Sequence, residues 1–212
     1  MTNQRSHRQL NRAVKTCIFE FAKDFCQIHE DIFYEDDLKC RLHSRLLKVR
    51  QLNYKPKLKH KTGKSKATLV HAECRTINNL KQPFDLVVMD PEDDEWIVSN
   101  WGNDNWQKRL NPFIVIELKH IDRCEYKTIE RAFDQLKLPL SSDIRSKYTY
   151  LLIFLNAWDD DASETKKKKK ENFKNFLEEV EAKKTDWIKR GQKSDLKILC
   201  IPSSSDLKPR WR

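Results

Sequence analysis

Glu117 and Lys119 lie two residues apart in the stretch Asn111-Pro112-Phe113-Ile114-Val115-Ile116-Glu117-Leu118-Lys119-His120. The apolar run 112–116, β-branched in its middle, predicts a strand buried on both faces. Side chains alternate along a strand, so Phe113, Val115, Glu117 and Lys119 share one face, and Ile114, Ile116 and Leu118 share the other. A carboxylate and an ammonium therefore leave the same side of a core strand. Burying a charge is costly unless it is paired or binds a metal, so something must satisfy both groups. A second apolar stretch, Gln82-Pro83-Phe84-Asp85-Leu86-Val87-Val88-Met89-Asp90, carries one acid near its start. Two neighbouring strands, one with Asp85 and the other with Glu117 and Lys119, would hold a divalent metal ion with a lysine beside it. Two buried structural ion pairs are the plainer reading of the same residues.

Phe84-Asp85-Leu86-Val87-Val88 followed by Val115-Ile116-Glu117-Leu118-Lys119 resembles the PD-(D/E)XK nuclease superfamily. That motif is an acid on one strand and acid-any-lysine on the next. Pro83 stands one position further from the acid than the family's proline. The 32 positions from Asp85 to Glu117 (117 minus 85) imply an insertion between the strands, at about 90–111. The resemblance covers roughly residues 34–157. It implies an α/β chain with a restriction-endonuclease-like mixed β-sheet flanked by α-helices. It also implies metal-dependent phosphodiester hydrolysis. Asp85 and Glu117, with the backbone carbonyl of Leu118, would coordinate Mg²⁺, with Mn²⁺ as the alternative. Lys119 would orient or deprotonate the attacking water, or stabilise the transition state electrostatically. Many members carry an acid on the helix before the first sheet strand, which makes Glu35 a further expected metal ligand. Some carry a glutamine on a later helix, a place that Gln135 would fill here; a surface glutamine is the plainer reading. The expectation is a DNA endonuclease. The alternatives are a nucleic-acid-binding or scaffold protein on the same fold with cleavage weak or lost, and a protein-interaction module. The sequence leaves RNA open as a substrate. A homodimer would suit double-strand cutting, but no residue argues for one.

These strands need elements to hold them. Val14, Cys17, Ile18, Phe21, Phe25 and Ile28 recur at helical spacing and predict a helix from Leu10 to about His29. A second helix is expected from Tyr34 to about Val49, with Leu38, Leu42 and Leu46 as its stripe. Glu35, Asp36 and Asp37 crowd its first turn, where the helix dipole favours acids. Glu35 also lies three residues before Leu38, on the apolar face. Residues 67–76 read as a strand. Glu73 in it is a candidate auxiliary acid with Arg75 beside it, against an exposed ion pair as the simpler reading. This strand is expected to pair with the Asp85 strand as a hairpin. A helix follows from Glu125 to Leu138, then a buried strand from Tyr148 to Leu155. A long helix opens on the lysines 166–170 and runs to about Arg190, its stripe made by Phe173, Phe176, Leu177, Val180 and Trp187. A last strand covers 196–201, and the basic tail Lys208-Pro209-Arg210-Trp211-Arg212 is expected to be mobile.

The chain has 212 residues and a net charge of +10. It reads as a single nuclease-like domain over 1–212, with the helix and strand at about 166–201 as its C-terminal part. The charge favours a polyanionic partner, nucleic acid before a membrane. Lys55, Lys57, Lys59 and Lys61 alternate, so an extended segment puts all four on one side, able to follow a phosphate backbone. A solvated loop is the competing reading. With Arg75 these form the expected nucleic-acid contacts. Trp96, Trp101 and Trp106, spaced by five after the acidic turn at 90–95, are expected to form a small cluster under a loop. Only three glycines occur, which excludes glycine-rich phosphate loops. Six cysteines lack C-x-x-C spacing and read as reduced thiols of an intracellular, cytoplasmic protein. Neither a signal peptide nor a membrane-spanning run is expected.

Overall fold

In a computed structural model, the residues described are 3–28, 34–52, 69–74, 84–89, 112–121, 129–130, 133, 147–155, 166–190, 195–204 and 206–212; the side chains of 3–6, 28, 73 and 74 are outside that description. Helix α1 spans Asn3–Ile28 and α2 spans Glu35–Leu46, followed by a 3-10 turn at Arg50–Leu52. The strands are β1 (Val70–Cys74), β2 (Phe84–Met89), β3 (Pro112–Ile121), β4 (Tyr148–Leu155), β5 (Leu196–Pro202) and β6 (Arg210–Trp211). Helix α3, Lys166–Lys189, lies between β4 and β5 in sequence. The six strands form one mixed sheet in chain order. β1, β2 and β3 are an antiparallel meander; β3, β4 and β5 run parallel; β6 returns antiparallel to β5.

Burial follows the sequence periods. On α1, Val14, Cys17, Ile18, Phe21 and Phe25 are buried, as are Leu38, Leu42 and Leu46 on α2. These join Tyr150, Leu152, Phe154, Leu199 and Ile201 in one core. The alternate residues Leu151, Ile153, Leu155, Ile198 and Cys200 join Phe173, Phe176, Leu177, Val180 and Trp187 of α3 in a second. Period two in the strands thus sorts neighbours into two cores, and period 3.6 in the helices closes each one. Ile129 and Phe133, helical and buried, belong to the second core, where a helix was expected between β3 and β4.

Phe154 carries much of the first core, its ring edge-on to Phe25 at 4.9 Å and to Phe21 at 5.9 Å. Phe154→Ala should cost about 3–5 kcal/mol, the usual loss for emptying an aromatic core site. Denaturant unfolding would show this as a lower midpoint at unchanged slope.

Two features differ from expectation. Helix α1 starts at Asn3, seven residues before the expected Leu10, because its first two turns are polar and carry no apolar period. The C-terminal tail is ordered: Leu199 pairs with Trp211 and Cys200 with Arg210, and Ile198 and Arg212 exchange backbone hydrogen bonds of 3.0 and 2.7 Å. Trp211 packs on Tyr150 with Lys15 over its ring. The lysines 166–170 open the long helix as expected, and Lys166 pairs with Asp206. No described helix is long and apolar enough to cross a membrane. Among the described residues Cys17, Cys26, Cys40 and Cys200 are free thiols.

Candidate functional site

β2 and β3 do not stay together along their whole length. Their pairing runs from Met89↔Pro112 to Leu86↔Ile116, with a register shift at Met89, which faces a proline. Proline has no N–H to give to the Met89 carbonyl, and the Met89 N–H donates away from β3, to the Leu69 carbonyl at 2.8 Å. At the other end β3 continues to Ile121 alongside β4. Among the described residues, the edge of 117–121 that faces β2 has no ladder partner in it. In a strand, N–H groups two residues apart point the same way. Leu118 and His120 are such a pair, and each N–H meets a carboxylate. The Leu118 N–H donates to Asp85 Oδ2 at 2.8 Å, and the His120 N–H donates to Glu35 Oε2 at 3.2 Å.

Two elements aim those acids. The register Leu86↔Ile116 carried on by one residue sets Asp85 beside Glu117. Glu35 is the first residue of α2. The helix starts there because Asp37 closes the turn: its carboxylate accepts the Tyr34 N–H at 3.3 Å and its own N–H donates to the Tyr34 carbonyl at 3.1 Å. With Leu38 anchored in the core on the same face, Glu35 is held inward. Its Oε1 accepts from Lys119 Nζ at 2.9 Å.

One helical turn beyond Glu35, Lys39 comes down on the same side. Its Nζ lies 3.4 Å from Asp85 Oδ1 and 2.9 Å from Asp36 Oδ1. The sequence reading missed Lys39, although its i+4 spacing from Glu35 was available as a signal. The two ion pairs have opposite sense: α2 gives an acid to Lys119 and a lysine to Asp85. Between them Glu117 is buried, only 7 % exposed. Burial, then the neighbouring Asp85 charge and a hydrogen bond to Asp85, push its carboxyl well above the usual carboxylate range; Lys119 opposes this and Glu35 adds to it. Asp85 and Glu117 thus form a carboxyl pair that favours a shared proton or a cation.

The structure brings together Glu35, Asp85, Glu117, Leu118 and Lys119 of the expected set. The expected contacts Lys55, Lys57, Lys59, Lys61 and Arg75, and also Gln135, lie outside the described residues, as does the side chain of Glu73. The backbone register, between Ala72↔Leu86 and Cys74↔Phe84, sets Glu73 at the position opposite Asp85.

A metal-ion fit can be tested on the donors themselves. Among the described residues no three His, Cys, Asp or Glu side chains stand together as a ligand group. The oxygens of Glu35 are taken by Lys119 and the His120 N–H, and those of Asp85 by Lys39 and the Leu118 N–H. Asp85 and Glu117 are two hard oxygen donors side by side, mutually repelling when both are charged, at a strand edge that also carries the Leu118 carbonyl. That set suits an oxygen-preferring divalent ion such as Mg²⁺ or Mn²⁺, completed by water.

A separate hollow of about 710 Å³ lies between α1 and the end of α2, lined in part by Arg12, Thr16, Glu20, Arg45, Lys48 and Gln51. It contains none of the site residues. Arg45 there is already held by Asp24. Comparisons with protein-family models, with curated proteins and with solved structures find no match to this chain.

Proposed function

We propose that this chain is a metal-dependent nuclease acting on DNA, built on a restriction-endonuclease-like fold. The observation that carries the reading is the convergence of Glu35, Asp85, Glu117 and Lys119 at the place where the β2–β3 ladder ends, although they are spread from position 35 to 119. The antiparallel meander followed by a parallel β4, with helices on both sides, also supports it. The net charge of +10 suits a polyanionic substrate.

Asp85 and Glu117, with the Leu118 carbonyl, would hold the ion. When bound, Mg²⁺ or Mn²⁺ supplies a water of lowered pKa and Lewis-acid shielding of the phosphate. The chain's own groups do the rest. The Leu118 N–H fixes the Asp85 carboxylate, so that donor is pre-set. Lys119 places an ammonium beside the reacting phosphate, where negative charge grows. Glu35 orients that ammonium without touching substrate, and the His120 N–H fixes Glu35 in turn. Glu35 is thus a positioning residue in this reading rather than a third metal ligand.

Binding without cleavage is the second reading. It draws on the lysines that already neutralise Asp85 and Glu35. Salt titrations of DNA binding, run in parallel with turnover in Mg²⁺, separate the two. The nuclease reading expects salt-sensitive binding together with ion-dependent product. Salt-sensitive binding with no product on plasmid, single-stranded or branched DNA, or on RNA, selects the second.

A further inference from the structure

We propose that Lys39 is an internal counter-ion of the site: it bridges Asp85 and Asp36 until a divalent cation binds, and then keeps Asp36 alone. The inference rests on the reading of Asp85 and Glu117 as ion ligands and adds a regulator of that site. Lys39 Nζ stands 3.4 Å from Asp85 Oδ1. Both side chains are nearly enclosed, 12 % and 10 % exposed, so the contact is sheltered from solvent screening. A cation arriving at the Asp85–Glu117 pair meets that ammonium within a few ångströms, and the like charges repel.

Lys39 has a second place to go. Asp36 Oδ1 is already 2.9 Å from the same nitrogen, and that carboxylate is 84 % exposed. A small rotation gives up the inner acid and keeps the outer one, so the ammonium still holds an ion pair. The helix makes this available by spacing: Asp36 and Lys39 are neighbours at i and i+3, and the same turn projects Lys39 toward β2. Lys119 differs, since its acid, Glu35, is itself fixed by the His120 N–H. One lysine of the site is therefore built to stay and the other to leave. The linkage is reciprocal: the ion weakens the Lys39–Asp85 tie between α2 and β2 as much as that tie weakens the ion.

Calorimetric titration of Mn²⁺ into the DNA-free protein tests this. Lys39→Gln removes the competing charge and should tighten Mn²⁺ binding by at least about two- to fivefold, the change that even an exposed ion pair converts to. Lys39→Arg keeps the charge and grips a carboxylate with two donors, so Mn²⁺ should bind more weakly than to wild type. Either variant decides the matter if the other fails to fold, which circular dichroism reports. Unchanged or weaker binding in Lys39→Gln, or unchanged or tighter binding in Lys39→Arg, overturns the role of Lys39 and leaves the proposed function standing. Absence of Mn²⁺ binding in folded wild type overturns the ion site itself, and both readings with it.

Discussion

Lys119→Ala should lower DNA cleavage by roughly 10²- to 10⁴-fold, the range for losing one well-placed catalytic group. The protein should stay folded and should bind DNA nearly as before. The reason lies in what the substitution removes. Lys119 gives its ammonium to one described acid, Glu35, at 2.9 Å, and Glu35 keeps the His120 N–H as a partner. The structural loss is one partly exposed ion pair, about 1 kcal/mol or less, together with the offset Lys119 gives to buried Glu117. The catalytic loss is the cation beside the phosphate. A purely structural Lys119 would show the reverse pattern: a clear fall in melting temperature, and activity that follows the folded fraction. Glu35→Gln should give an intermediate loss, since the lysine remains but is no longer held by a charge. Kinetics and melting curves on the same preparations separate these outcomes.

Glu117→Gln should make the ion-free protein more stable at neutral pH while abolishing cleavage. Glu117 is buried beside Asp85, and its carboxyl sits well above its ordinary value of 4.5. A carboxyl whose pKa rises on folding holds its proton more tightly in the native state. The unfolded chain then ionises first, so stability falls as pH climbs from about the unfolded value toward the folded one. Below that window the group costs nothing. Above it, a buried charge remains next to another. The amide removes the charge and can still hydrogen-bond to Asp85. A gain of about 1 kcal/mol is expected in EDTA near pH 7, or roughly 3 °C in melting temperature. The gain should vanish toward pH 4. Mg²⁺ should stabilise wild type and leave the variant nearly unmoved. If Glu117→Gln melts lower than wild type at pH 7 in EDTA, Glu117 is a satisfied structural partner instead.

Much of the architecture was legible because each element carries one clean period. The α3 stripe of Phe173, Phe176, Leu177, Val180 and Trp187 is buried in full, and so are Leu38, Leu42 and Leu46 of α2. Strand β4 matches its expected ends because its apolar residues are continuous and its neighbours are not. Asp85, Glu117 and Lys119 stood out because they interrupt apolar strands, and Glu35 because it sits on the leucine face of α2. The remainder depends on contacts between elements. Lys39 is a lysine in a charged turn until α2 is laid against β2. Nothing local shows that the β2–β3 ladder ends at Ile116, which leaves the Leu118 and His120 N–H groups for Asp85 and Glu35. The tail looked mobile because two residues are too few to signal a strand; β6 forms because β5 offers an edge and Tyr150 offers Trp211 a surface.

Relaxation of supercoiled plasmid by the wild-type chain, in Mg²⁺ and in EDTA, tests the central claim most directly. The account predicts nicked or linear product in Mg²⁺, none in EDTA, and none from Glu117→Gln prepared alongside. Product that survives EDTA, or that Glu117→Gln makes as well as wild type does, would contradict it.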